Sequence, residues 1–272
     1  MTKRSKVAAF PYIIWIVLFT IIPLTLVFVF AFTDKSLHFT WDNLTNASKY
    51  MPVLIKSIYL AVLATVICLV IAYPLAYIMS RKNGNSQRMM VMLVMLPMWM
   101  NFLLRTYAWM TILENNGLIN TFLQSIGLSK IQMINTQGAV VLGMVYNYLP
   151  FMILPLYSIM TKIDNRIIEA AQDLGAGSLH VLRRIIFPLS FPGITTGITM
   201  TFVPAVSTFV ISGMLGGSNN FLIGDLIEQQ FLGNEYNLNY GAATSLLLMI
   251  VVLISMGIFN QFDNAELEET LI

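Results

Sequence analysis

The stretch from Glu169 to Leu189 reads EAAQDLGAGSLHVLRRIIFPL. Long apolar runs flank it in a chain that is 57% hydrophobic and only 10% charged, so acids, bases and glycines at short intervals mark a segment addressed to water. Asp164 is placed to cap a short helix with Ile167, Ala170 or Ala171, and Leu174 on one face, and Glu169, Gln172 and Asp173 largely on the other. Gly175 can take positive φ at the helix end, Ser178 can cap a second helix, and Pro188 is expected to end that helix before the next apolar run. Glu169 offers a charge-assisted contact, and the Ala170–Ala171 pair lets another surface approach closely. This is the chemistry of docking rather than of bond making. An ordinary solvated loop with capped helices would use the same residues, and spacing alone leaves both readings open.

A second set of residues suits a cation. Ring faces at Trp99, Tyr107, Trp109, Tyr146, Tyr148 and Phe209, with carboxylates at Asp225, Glu228 and Glu235, supply the attraction and the acceptors that an ammonium group loses on leaving water. The rings serve equally as interfacial belt anchors, and the acids equally as a protein-docking patch. Metal chemistry is poorly served, because His38 and His180 are far apart in sequence and the single cysteine, Cys68, lies inside an apolar run. There is no GxSxG, HExxH or GxxxxGK[ST] pattern, so neither a hydrolase nor a nucleotide-binding motor is indicated. A net charge of +2, scattered along the chain, does not suit nucleic acid.

The elements that position these groups are membrane spans. Mean hydropathy is +0.75, and runs near Ala9–Phe32, Ser57–Met79, Gly138–Met160, Phe191–Leu215 and Gly241–Phe262 each reach the ~20 residues that cross a bilayer as a helix. Met89–Leu104 is shorter, holds Pro97 and stops at Arg105, which predicts a kinked sixth span whose far end meets water. Between Arg105 and Gln137, Asn-Asn-Gly and Ile-Gly punctuate a half-apolar stretch that suits short interfacial helices. The apolar run from Val7 to Thr33 is too long for a signal-peptide core and reads as a retained first span. With the N-terminus in the cytoplasm, ten of the fifteen Lys and Arg residues fall on the inner side, RKNGNSQR after the second span most clearly. The Glu169 segment and both termini are therefore expected in the cytoplasm. Pro74, Pro97, Pro150, Pro155 and Pro204 are positioned to kink spans, and ordinary packing explains them equally well. The apolar runs hold no acid, which speaks against a proton-coupled carrier.

Glu169-Ala170-Ala171, three residues, Gly175, nine residues, Ile185, and a hydrophobic residue before Pro188 resemble the cytoplasmic loop of permease subunits in binding-protein-dependent ABC importers. Phe187 stands where that family usually has leucine. The resemblance implies an all-α integral membrane protein of six transmembrane helices with the type I importer fold, in a bacterial cell membrane. It implies an N-terminal tail, first helix and external loop over 1–56, the transmembrane domain over 57–262 and a cytoplasmic tail over 263–272. It further implies a non-catalytic chain that binds no cofactor, with ATP and Mg on a separate ATPase present in two copies, a second permease subunit and an extracytoplasmic binding protein. Glu169, Ala170, Ala171, Gly175, Ile185 and Pro188 would then contact the ATPase. Leu96–Asn120 and Phe202–Phe231 are similar to the spermidine/putrescine permeases of the PotB type, whose partners are PotA-like, PotC-like and PotD-like. That implies a polyamine as substrate. Gly213 departs from the polar or acidic residue often found at its position there. Permeases for sulfate, molybdate or iron, and more distantly a secondary transporter or channel, are the alternatives.

Overall fold

A computed structural model describes residues 3–233 and 236–269. It is helical almost throughout: α1 (Lys3–Ile16), α2 (Ile22–Ala31), α3 (Asp42–Ala47), α4 (Met51–Ser80), α5 (Gly84–Trp99), α6 (Phe102–Leu113), α7 (Leu118–Ser125), α8 (Gln137–Met160), α9 (Asn165–Asp173), α10 (Ser178–Val181), α11 (Phe187–Val206), α12 (Ile223–Leu232) and α13 (Leu238–Glu269). Single π-turns join α1 to α2 and α10 to α11. Among the described residues five helical stretches are long and apolar enough to cross a membrane, and the bent pair α5–α6 makes a sixth.

The centre of the molecule is α8 packed between α4 and α11. Ala61, Ala64, Cys68, Ala72, Ala76 and Met79, all buried, line one face of α4 at helical spacing. On the other side, Gly193 and Gly197 of α11 lie against Pro155 and Met152 of α8, where a Cβ on Gly197 would come 2.7 Å from the Met152 sulfur. Lipid tails are as apolar as leucine, so close packing through small residues, rather than the hydrophobic effect, holds such helices together. Away from that centre, α2 packs on α13 through Ala31, Ala242, Ala243 and Leu246.

The spans depart from expectation in four places. The third is broken rather than merely kinked, with α5 and the helices after it meeting at 87°. The break falls at Met100, which is extended, and Asn101 then caps α6 by accepting from Leu103 N (2.8 Å). Arg105 does not meet water: it is only 8% exposed, its guanidinium 5.8 Å from the Phe102 ring, because side chains in a first helical turn lean back toward the N-terminus. The fifth span starts earlier and stops at Val206, nine residues before the predicted end. The 20 residues of α11 already cover about 30 Å, and Gly217 at φ +62° turns the chain back toward the core. Pro188 does not end a helix. α10 runs through the π-turn Leu182–Ile186 into α11, and a wider turn here accommodates the hydrogen bond that proline cannot make.

Candidate functional site

The elbow between α8 and α11 is built as a local device. Asp164 Oδ1 accepts from Arg166 N at 3.0 Å and starts α9. At the other end Gly175 sits at φ +86°, Gly175 N donates to Gln172 O (2.8 Å), and Ala176 N donates to Ala171 O (3.0 Å). That pair of bonds is a Schellman closure with glycine in the left-handed position. Gly177, not Ser178, occupies the cap of α10. The buried face of α9 also differs from the one expected. Ile168 packs with Ile163, Val181 and Ile186, and Ala171, Ala176 and Ile185 close over them. Ile167 and Leu174 point outward, because Ile168 and Ala171, three apart, face the Val181–Ile186 turn.

Glu169 and Ala170 are therefore exposed on the outer face of α9, with Gln172 and Asp173 beside them. Ala171, Leu174, Gly175, Gly177, His180, Arg184 and Ile185 surround a recess of ≈ 480 Å³. Three of the six predicted contact residues, Ala171, Gly175 and Ile185, thus line one recess; Glu169 and Ala170 stand exposed on α9, and Pro188 lies exposed one turn further on, in α11. Leu174 and Leu179, 90% and 77% exposed, escaped the sequence reading. Leu174 fitted an inward stripe, and Leu179 belongs to a four-residue helix too short to show a period. Two large apolar side chains left exposed beside a carboxylate and the Arg183–Arg184 pair have the character of a contact surface.

The residues suited to a cation fall into separate groups on the half of the molecule away from the elbow. Tyr148 of α8 is buried and comes near Thr208 in the turn after α11. Across that turn Asp225, 3% exposed and outside the candidate spans, accepts from Leu222 N at 2.8 Å; burial pushes its carboxyl up to about 6. A Cβ on Gly213 would stand 3.4 Å from Asp225 Oδ1, so this glycine lies directly against the carboxylate. Phe209 and Glu228 line a groove of ≈ 540 Å³ between the end of α11, α12 and α13, with Ser207, Phe231 and Met249. Trp109 meets the Tyr146 ring edge-on at 5.4 Å. Trp99 and Tyr107 are exposed on α5 and α6, apart from these groups, and Glu235 lies outside the described residues. The sequence reading also missed Asn147 Oδ1 and Thr201 Oγ1, buried polar atoms with no protein partner, on the packed helices α8 and α11. Isolated Asn and Thr in an apolar run carry no signal of their own.

A family model described as binding-protein-dependent transport system inner membrane component matches residues 72–264. The chain belongs to this family. The permease is also 35% identical to the spermidine/putrescine transport system permease protein PotB of Haemophilus influenzae, over 98% of this chain and 97% of the relative. It is 38% identical to the protein of the same name from Escherichia coli, over 88% and 90%. Among solved structures, a chain of a bacterial ABC transporter that imports the acidic polysaccharide alginate superposes with a TM-score of 0.82 at 16% identity, covering 96% of this chain and 95% of that one. A chain of the MetNI methionine ABC transporter gives 0.62 at 17%, over 79% and 95%. At such identities the structures speak for the fold alone: the permease has the architecture of ABC importer membrane subunits.

Proposed function

We propose that this permease is the membrane subunit of an ATP-driven polyamine importer and that α9 with its flanking turns is its contact with a separate ATPase. The observation that carries the coupling role is the elbow: a rigidly capped helix on a short connection between two core spans, presenting Glu169, Leu174 and Leu179 to water. The close relatives named as spermidine/putrescine permeases support the substrate class. On this reading the working assembly holds two ATPase subunits carrying ATP and Mg, a second permease subunit and a binding protein that delivers the polyamine from outside. The termini and α9 lie in the cytoplasm, in line with the distribution of Lys and Arg. The solute path includes Tyr148, Phe209, Asp225 and Glu228, the outer groups closest to the turn after α11. The boundaries proposed for the chain are 1–56, 57–262 and 263–272.

The test compares uptake of labelled spermidine by cells carrying the native chain or Glu169→Lys. A contact in which one partner is charged is worth about 1.5–3 kcal/mol, so the variant should accumulate normally and import at least tenfold more slowly. Normal uptake by Glu169→Lys would refute the coupling role. Normal spermidine uptake by cells lacking the chain would refute the substrate.

A further inference from the structure

Arg81 fastens the C-terminal end of α4 to the elbow by hydrogen bonds. Arg81 follows the last residue of α4, and its Nη2 donates to Met160 O at 3.2 Å while its Nη1 donates to Ile163 O at 3.2 Å and to Asn165 Oδ1. Met160 ends α8 and Asn165 begins α9, so the guanidinium bridges the whole connection between them. Its carbon also lies 5.6 Å from the Tyr77 ring, and Tyr77 packs against the Ile163–Ile168–Val181–Ile186 cluster beneath α9. A second strand of contacts runs alongside: Tyr157 Oη donates to Gln87 Oε1 (3.4 Å), and Gln87 Nε2 donates to Ser80 O (3.0 Å). A cation at a helix C-terminus is favoured by the unpaired carbonyls there. Arginine suits this place because its planar fork reaches several acceptors at once, whereas lysine brings one compact charge.

We propose that Arg81 is a positioning residue that carries displacement of α9 into α4. The inference rests on the coupling role proposed for α9. Chain connectivity joins α9 to α8 on one side and, through α10, to α11 on the other; α4 is reached by the Arg81 clasp and the packing around Tyr77. Since α4 packs along both α8 and α11, a pull on its inner end moves the centre of the bundle as one body.

The experiment reconstitutes the full complex in proteoliposomes and reads solute imported per ATP hydrolysed. Arg81→Met keeps the length of the side chain and removes its hydrogen bonds. It should retain the ATPase on purification and hydrolyse ATP at a near-native rate, yet import at least tenfold less solute per ATP, with Arg81→Lys in between. A native ratio for Arg81→Met overturns the proposal, as does loss of assembly and hydrolysis in step with import, which is what a purely structural clasp would give. Should Arg81→Met fail to accumulate, Arg81→Lys and Asn165→Ala decide: a fall in the ratio supports the proposal, and a native ratio overturns it. Glu169→Lys, run in parallel, separates the two levels. If it transports normally the coupling role itself fails, whereas an impaired Glu169→Lys beside a native Arg81→Met ratio sinks only the clasp.

Discussion

Replacing Gly175 with valine perturbs one dihedral angle and little else. A Cβ built there has no atom within 4 Å, so the substitution meets no neighbour, and the cost lies in holding an L residue at φ +86°. That conformation costs about 1–2 kcal/mol for an ordinary residue and up to about 3 for a β-branched one. At ~1.4 kcal/mol per tenfold, the Schellman closure becomes roughly 10–100 times less favoured against its alternatives. Losing it releases the Gly175 N to Gln172 O and Ala176 N to Ala171 O bonds and turns the Leu174 side chain away from the recess. The spans do not depend on this turn, so permease abundance and insertion should stay native. Spermidine uptake and copurification of the ATPase should both fall by an order of magnitude or more. Gly175→Asn is the control, because asparagine tolerates the left-handed region, and it should keep most of the activity. Full uptake by Gly175→Val, or equal damage from Asn and Val, would refute the reasoning.

Two further outcomes follow from the outer turn and from the placement of the elbow. Asp225 has its carboxyl raised from 3.8 to about 6 by burial, so below pH ~4 it is protonated folded or unfolded; stability then declines as pH rises toward 6 and stays lowered above it, by at most roughly 3 kcal/mol. Asp225→Asn, which keeps an acceptor for Leu222 N, should raise the thermal unfolding midpoint at pH 8 and lose that advantage near pH 4; an advantage independent of pH would show that charge burial is not the cause. For topology, Tyr236→Cys should react with an impermeant thiol reagent in intact cells and Ser178→Cys only after permeabilisation, while native Cys68, fully buried, stays silent. The opposite pattern would turn the membrane reading upside down.

Much of the architecture was legible because a bilayer imposes a length: the C-terminal end of α2 and both ends of α8 fall within a residue of the apolar runs that predicted them. Gly175 was legible for a different reason, since a glycine closing a capped helix has one common use. What stayed hidden depended on partners far away in sequence. Arg105 looked like the end of a span, and only the fold shows it turned back along α6 into the protein. Ile167 and Ile168 are neighbours of equal hydrophobicity, and the choice between them as the inward residue is made by Val181 and Ile186. Leu215 was counted into the fifth span because apolar runs do not reveal a reversal; Leu215 is buried against α8 by returning toward it, not by continuing across. Arg81 was read only as a marker of sidedness, since its acceptors lie about eighty residues downstream.

The first span, finally, is secured at one end. Asn239 donates to Phe30 O (3.2 Å) and Thr33 O (2.7 Å), and Asn43 donates to Ala31 O (3.3 Å) and Thr33 O (2.7 Å), so two amides pin its C-terminal end. Away from that pin the large side chains back to Phe10, Trp15 and Phe19 among them, are mostly exposed. A span held by the rest of the chain at one end only takes its tilt from the thickness of the bilayer more than from that chain. Thinner or thicker membranes should therefore swing its inner end through an arc while the bundle of α4, α8 and α11 keeps its shape.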